Sequence, residues 1–131
     1  MAQMLGVWTV INNPNRTTSQ DLNLTVGGTI LLTDADVKKL QKGELFKINI
    51  KIMDEDTFSD DTVHTDNSFQ VGVFDTTPKC FHVGVIVPHQ KLNDSEPFWE
   101  SQAEIYSKVQ AKQGTIQTNA ARSWTVNVKI D

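Results

Sequence analysis

Phe46-Lys47-Ile48-Asn49-Ile50-Lys51-Ile52 carries an apolar side chain at every second position, with lysine or asparagine between. Side chains alternate across a β-strand, so this run buries four apolar groups on one face and leaves the other face wet. One core face and one solvated face is the habit of antiparallel sheets. The same period recurs on both sides of this segment. Leu5, Val7, Thr9 and Ile11 alternate with Trp8 and Val10, which predicts a first strand buried on both faces. Leu22, Leu24 and Val26 form a second row, and Ile30 and Leu32 resume it after Gly27-Gly28, where a bulge or bend is expected.

Downstream, Phe69, Val71 and Val73 precede Phe81, Val83, Val85 and Val87, with Asp75-Thr76-Thr77-Pro78-Lys79 between them. The pair reads as a β-hairpin. Ile105, Val109 and Ala111 make a further strand that turns at Gln113-Gly114, and Trp124, Val126, Val128 and Ile130 close the chain. Both Trp8 and Trp124 have apolar strand neighbours, which predicts that they lie in the core. Asn12 to Asp21, Asp54 to Asn67 and His89 to Pro97 read as loops. One short helix is expected near 34–41: Thr33 can cap it, Asp34 and Asp36 lie in its first turn, Lys38 and Lys39 follow, and Gly43 stands just beyond. The sum is an all-β fold, an antiparallel β-sandwich of about seven to nine strands. Immunoglobulin-like, C2-like and jelly-roll strand orders all stay open, with the first two favoured, since alternation fixes faces and not neighbours.

The chain has 131 residues, which fits a single domain, 1–131. Its formal charge of -4 argues against a nucleic-acid partner, whose phosphates call for a basic surface. No run approaches the length of a membrane-spanning helix. The first residues lack the pattern of a secretory signal and Cys80 is the single cysteine, so a cytoplasmic location is expected.

Little in the sequence points to catalysis. Cys80 and His82 share one strand face, opposite Phe81 and Val83, but nothing adjacent supplies the orienting group a nucleophilic pair needs. His64, His82 and His89 form no zinc spacing. Gly27-Gly28 stands alone without a phosphate-binding pattern. Glu100 and Glu104 are a carboxylate pair that nothing places in a cleft.

The sharpest local feature is Asp54-Glu55-Asp56-Thr57-Phe58-Ser59-Asp60-Asp61, with five carboxylates in eight residues. Such a cluster repels itself unless a cation sits among the oxygens, and calcium takes six to eight hard oxygen ligands. Asp54, Asp56, Asp60 and Asp61 are the candidate ligands, to which Asp66 or the pair Asp34 and Asp36 could add. Residues 50–63 resemble the calcium loop of C2-type domains, which runs D-x-D-x-x-S-x-x-D after a core strand. Asp54, Asp56 and Ser59 match, Asp61 closes one residue early, and that family's S-D-P-Y-V-K-type strand is missing. The resemblance implies a calcium site and nothing about lipids.

Phe98 and Trp99, beside Pro97 and Glu100, are the candidate ligand or interface residues. The expected function is a non-catalytic binding module that uses calcium through the acidic loop. Two alternatives stay open: a structural domain that associates with itself or with another protein, and a lectin-like domain that binds carbohydrate.

Overall fold

A computed structural model describes residues 2–40, 45–55, 60–72, 78–94 and 102–130. Two antiparallel sheets face each other across one core. The first holds three strands, β1 (Gln3–Ile11), β2 (Leu22–Leu31) and β5 (Lys79–Val87), in the order β1-β2-β5. The second is built on β4 (Asp61–Gly72), β3 (Leu45–Asp54) and β6 (Gln102–Gln113), paired in that order. Three short strands, β7 (Ile116–Gln117), β8 (Ala121–Arg122) and β9 (Val126–Lys129), pair with the far side of β6. The described residues therefore form the expected β-sandwich, with nine strands.

The cleanest alternation in the sequence marks the centre of the second sheet. Phe46, Ile48, Ile50 and Ile52 are fully buried and pack against Leu24, Val26 and Ile30 of β2 and Ile105 and Val109 of β6 in one cluster. Full burial of each such side chain contributes about 1.5–3 kcal/mol, so these rows hold the two layers together.

Among the described residues two short helices connect strands. The Thr33 capping box holds α1 (Asp34–Lys39): Thr33 Oγ1 accepts from Asp36 N at 3.1 Å, and Asp36 Oδ2 accepts from Thr33 N at 3.2 Å. The second, α2 (His89–Asp94), occupies sequence expected to be loop. Pro88 starts it with a preset φ and Leu92, fully buried, anchors it.

Other expectations also fail, for identifiable reasons. The segments around Phe69 and Phe81 are not a hairpin: β4 pairs β3 and β5 pairs β2, in opposite sheets. Their rings instead pack together, with centroids 6.1 Å apart. The strand predicted to begin near Phe69 starts at Asp61, so much of the expected 54–67 loop is β4.

The bulge lies in β1, not at Gly27-Gly28. The register with β2 slips between Leu5 and Trp8, where Gly6 takes a φ of +57°, while β2 pairs β5 without a break. The two glycines serve close approach instead. A Cβ on Gly27 would stand 2.2 Å from the Trp8 indole on the outer face, and one on Gly28 would stand 3.1 Å from Met4 Sδ inside.

Finally, β1 is not buried on both faces, since Leu5, Trp8 and Val10 are exposed, and neither Trp8 nor Trp124 is in the core. Trp8 is 42% exposed and Trp124 is 90% exposed.

One edge of β1 is closed by a side chain. Asn119 Oδ1 accepts from Met4 N at 3.0 Å, and Asn119 Nδ2 donates to Met4 O at 3.3 Å, the pattern a neighbouring strand would make. Arg16 fastens the 12–21 loop in a similar way. It is buried, and its guanidinium donates to the carbonyls of Thr17, Gln20 and Lys129.

Candidate functional site

The ladder places Asp54 and Asp61 opposite each other at the end of β3. Asp54 continues the inward parity of Ile50 and Ile52, is buried, and has Asp61 and Ile105 as its cross-strand neighbours. Asp61 itself is exposed. Asp60 accepts a hydrogen bond from the Tyr106 hydroxyl. Asp56 lies outside the described residues, as do Phe98 and Trp99. Asp66 is engaged by Ser68, whose backbone N and hydroxyl donate to it at 3.0 and 2.8 Å. Asp34 and Asp36 belong to α1. Among the described residues no three histidine, cysteine, aspartate or glutamate side chains converge as a metal-binding group.

Beside this acidic end, a groove of about 650 Å³ runs between Gly6 and Val7 of β1 and residues 121–125, with Glu55 also on its wall. Trp124 stands in it almost wholly in water. The alternation of Val126, Val128 and Ile130 does not extend back to Trp124 because no regular ladder covers 123–125. Ser123 turns inward instead and is buried. Its hydroxyl lies 2.8 Å from Thr9 Oγ1, accepts from Ser107 N at 3.0 Å and donates to Trp124 O at 2.9 Å. Thr9 also donates to Ser107 Oγ at 2.6 Å. This group of hydroxyls ties β1 to the second sheet beneath Trp124 and fixes its backbone.

Arg122 sits over the Tyr106 ring, with Cζ 3.6 Å from the ring centroid, and its Nη2 donates to Glu55 Oε2 at 3.0 Å. Glu55 is held in turn through its N–H, which donates to Glu104 O at 2.8 Å. Burial, reinforced by Asp60, pushes the Tyr106 hydroxyl up to about 12. At neutral pH it is therefore a neutral donor committed to Asp60, not a base. The arrangement presents a broad aromatic face, a fixed guanidinium–carboxylate pair and small hydroxyls, which suits recognition of a ligand with an apolar face and polar edges.

Other polar groups act as pins between elements. Asp21 Oδ1 accepts both the N–H and the ring Nδ1 of His89 at 3.1 Å, which holds its carboxyl below the usual range. Lys91 of α2 donates to Nδ1 of His64 on β4 at 3.0 Å. Cys80 is exposed on the outer face of β5, with Thr29 Oγ1 at 3.5 Å.

Arg16 and Arg122 carried no signal in the sequence and Trp124 carried that of a core residue, because each owes its role to a partner more than 15 residues away or to a break in strand period. In comparisons with family models, curated proteins and solved structures, the chain matched none of them.

Proposed function

We propose that this chain is a non-catalytic binding module whose ligand enters the groove beside Trp124, Arg122 and Glu55. The observation that carries this reading is Trp124: an indole kept 90% exposed next to a prearranged ion pair has no packing role in the isolated chain. Tryptophan and arginine side by side are the residue types that dominate binding surfaces. Calcium belongs to the same proposal, held by Asp54, Asp56, Asp60 and Asp61 at the neighbouring end of β3, where a cation would relieve their repulsion. Trp124→Ala should abolish ligand binding without changing stability, and a ligand that binds the variant equally well would end the groove reading. A chelator should lower the melting midpoint and calcium restore it; an unchanged midpoint at millimolar calcium removes the metal and leaves the groove.

A second reading, self-association, draws on the outer face of the first sheet. Leu5, Trp8, Val10 and Ile86 are all exposed there; their cross-strand neighbours Thr29, Gly27, Thr25 and Asn23, and the Cys80, His82 and Gly84 that face the first three from β5, include no lysine, arginine or carboxylate. Light scattering decides it, since a monomer at high concentration excludes a homo-oligomer.

A further inference from the structure

The outer face of the second sheet is the opposite of the first. Lys47 on β3 stands directly across from Lys112 on β6, and Lys51 directly across from Lys108. All four are exposed, and among the described residues none of them has a carboxylate at ion-pair distance. Like charges placed opposite each other on neighbouring strands destabilise a sheet. Two such pairs on a chain whose net charge is -4 are a cost that the fold itself does not explain.

Between the two pairs lies the amide pair Asn49–Gln110. It is shared by two shallow depressions. One, of about 240 Å³, is completed by Lys47, Lys112, Asn67 and Gln117; the other, of about 140 Å³, by Lys51, Lys108, Val109 and Ala120. The Asn49 amide oxygen is buried here and has no hydrogen-bond partner. A strand rises about 3.4 Å per residue, so the two lysine pairs are about 14 Å apart along the sheet with hydrogen-bonding amides midway.

We propose that this face binds an acidic polysaccharide lying along β3 and β6, its anionic groups on the lysine pairs and its hydroxyls on the amides. Each amide carries both donor and acceptor, which is what a row of hydroxyls requires; Gln110 Nε2 already donates to Thr118 O at 2.8 Å, and the buried Asn49 Oδ1 accepts from a ligand hydroxyl once its side chain turns outward. Lysine supplies anion attraction as a compact point charge. The same face is poorly suited to nucleic acid. Single strands are held by stacking on aromatic rings; Tyr106, two residues from Lys108 on β6, is covered by Arg122, and the exposed Trp124 belongs to the adjoining groove. A flat sheet also presents no helix or ribbon to a duplex groove. This site adjoins the Trp124 groove, since Lys108 stands opposite Arg122, but the proposal does not depend on the groove.

The test measures binding of the full chain to heparin and to polygalacturonate, with dextran, inorganic polyphosphate and oligothymidylate as comparisons. The expected result is binding to an acidic polysaccharide, none to dextran, and clearly weaker binding to the two phosphate polymers. Removing one lysine pair (Lys51→Gln with Lys108→Gln, or Lys47→Gln with Lys112→Gln) should weaken binding about tenfold and flatten its salt dependence. Lys38→Gln with Lys39→Gln, on α1, should leave it unchanged. Asn49→Asp should abolish binding while holding or raising the melting temperature, because it places an anion among the lysines. Absence of binding to both acidic polysaccharides overturns the proposal. So does equal affinity for polyphosphate or oligothymidylate, or an equal loss in the α1 variant.

Discussion

Replacing Arg16 by alanine should cost more stability than any other surface-loop substitution in this chain. The side chain is 9% exposed and its guanidinium serves three carbonyls, those of Thr17 and Gln20 within its own loop and that of Lys129 at the end of β9, 113 residues away. A hydrogen bond from a charged donor contributes about 1.5–3 kcal/mol net. Water can replace the guanidinium at Thr17 and Gln20, which are exposed, so their full value is not lost. The contact to Lys129 joins two distant parts of the chain and has no local substitute. We expect a net loss of about 3 kcal/mol, a large share of the 5–15 kcal/mol that typically separates folded from unfolded domains. Urea unfolding followed by far-ultraviolet circular dichroism reads this directly, as a fall in midpoint at constant slope. Arg16→Lys should lie between the two, since an ammonium cannot fork to three acceptors. An Arg16→Ala midpoint within about 0.5 kcal/mol of the parent would refute the clamp, and so would an Arg16→Lys variant as weak as the alanine.

Gly27→Ala should push the Trp8 indole off the sheet, because the added Cβ would sit 2.2 Å from it; Trp8 is part-exposed and can swing, so the expected cost is about 1–2 kcal/mol with a red-shifted fluorescence, and an unshifted spectrum contradicts the contact. Trp124→Ala should change stability by less than about 0.5 kcal/mol, and a larger loss would show that the exposed ring packs after all. Tyr106 is the single tyrosine, so tyrosinate absorbance reports it alone, and half-ionisation should come near 12; a midpoint near the ordinary 10 breaks the link to Asp60. Because this pKa is raised on folding, the associated stability is complete below pH 10 and drains away above it. His64 works in the other direction: burial first, then Lys91, lowers its pKa from 6.5. The folded state thus holds fewer protons than the unfolded one, and its contribution is complete above pH 6.5 and lost as pH falls below that. His64→Gln should flatten the urea midpoint between pH 7.5 and pH 5, and a variant as pH-sensitive as the parent would exclude this residue as the source.

Much of the fold was legible because burial imposes a period on the sequence. Phe46 to Ile52 could only be a strand with one wet face, Thr33 with Asp36 spelled out the helix start, and Gly114, with a φ of +56°, sits in the turn that Gln113-Gly114 announced. What escaped was pairing. Phe69 and Phe81 have hairpin-like spacing, yet the chain crosses between sheets there, and alternation is blind to which strand comes alongside. Phase slips were equally hidden. Gly6 shifts Leu5 to the outer face, and the irregular stretch at 123–125 turns Trp124 outward while Ser123 goes in. The acidic run was plain from composition. The groove beside it was not, because its walls come from β1, Glu55 and the β8–β9 connection, which meet only in three dimensions.

The edge of β1 depends on one carboxamide, Asn119, standing in for a strand. Carboxamides age: they lose ammonia and become carboxylates. At this position the change keeps the oxygen that receives Met4 N–H but sets a second oxygen against Met4 O, turning a clasp into a repulsion. Old molecules would then open first at this seam, and an uncovered strand edge is a template for another chain. Deamidation at Asn119 is thus one chemical clock by which this strand edge comes open.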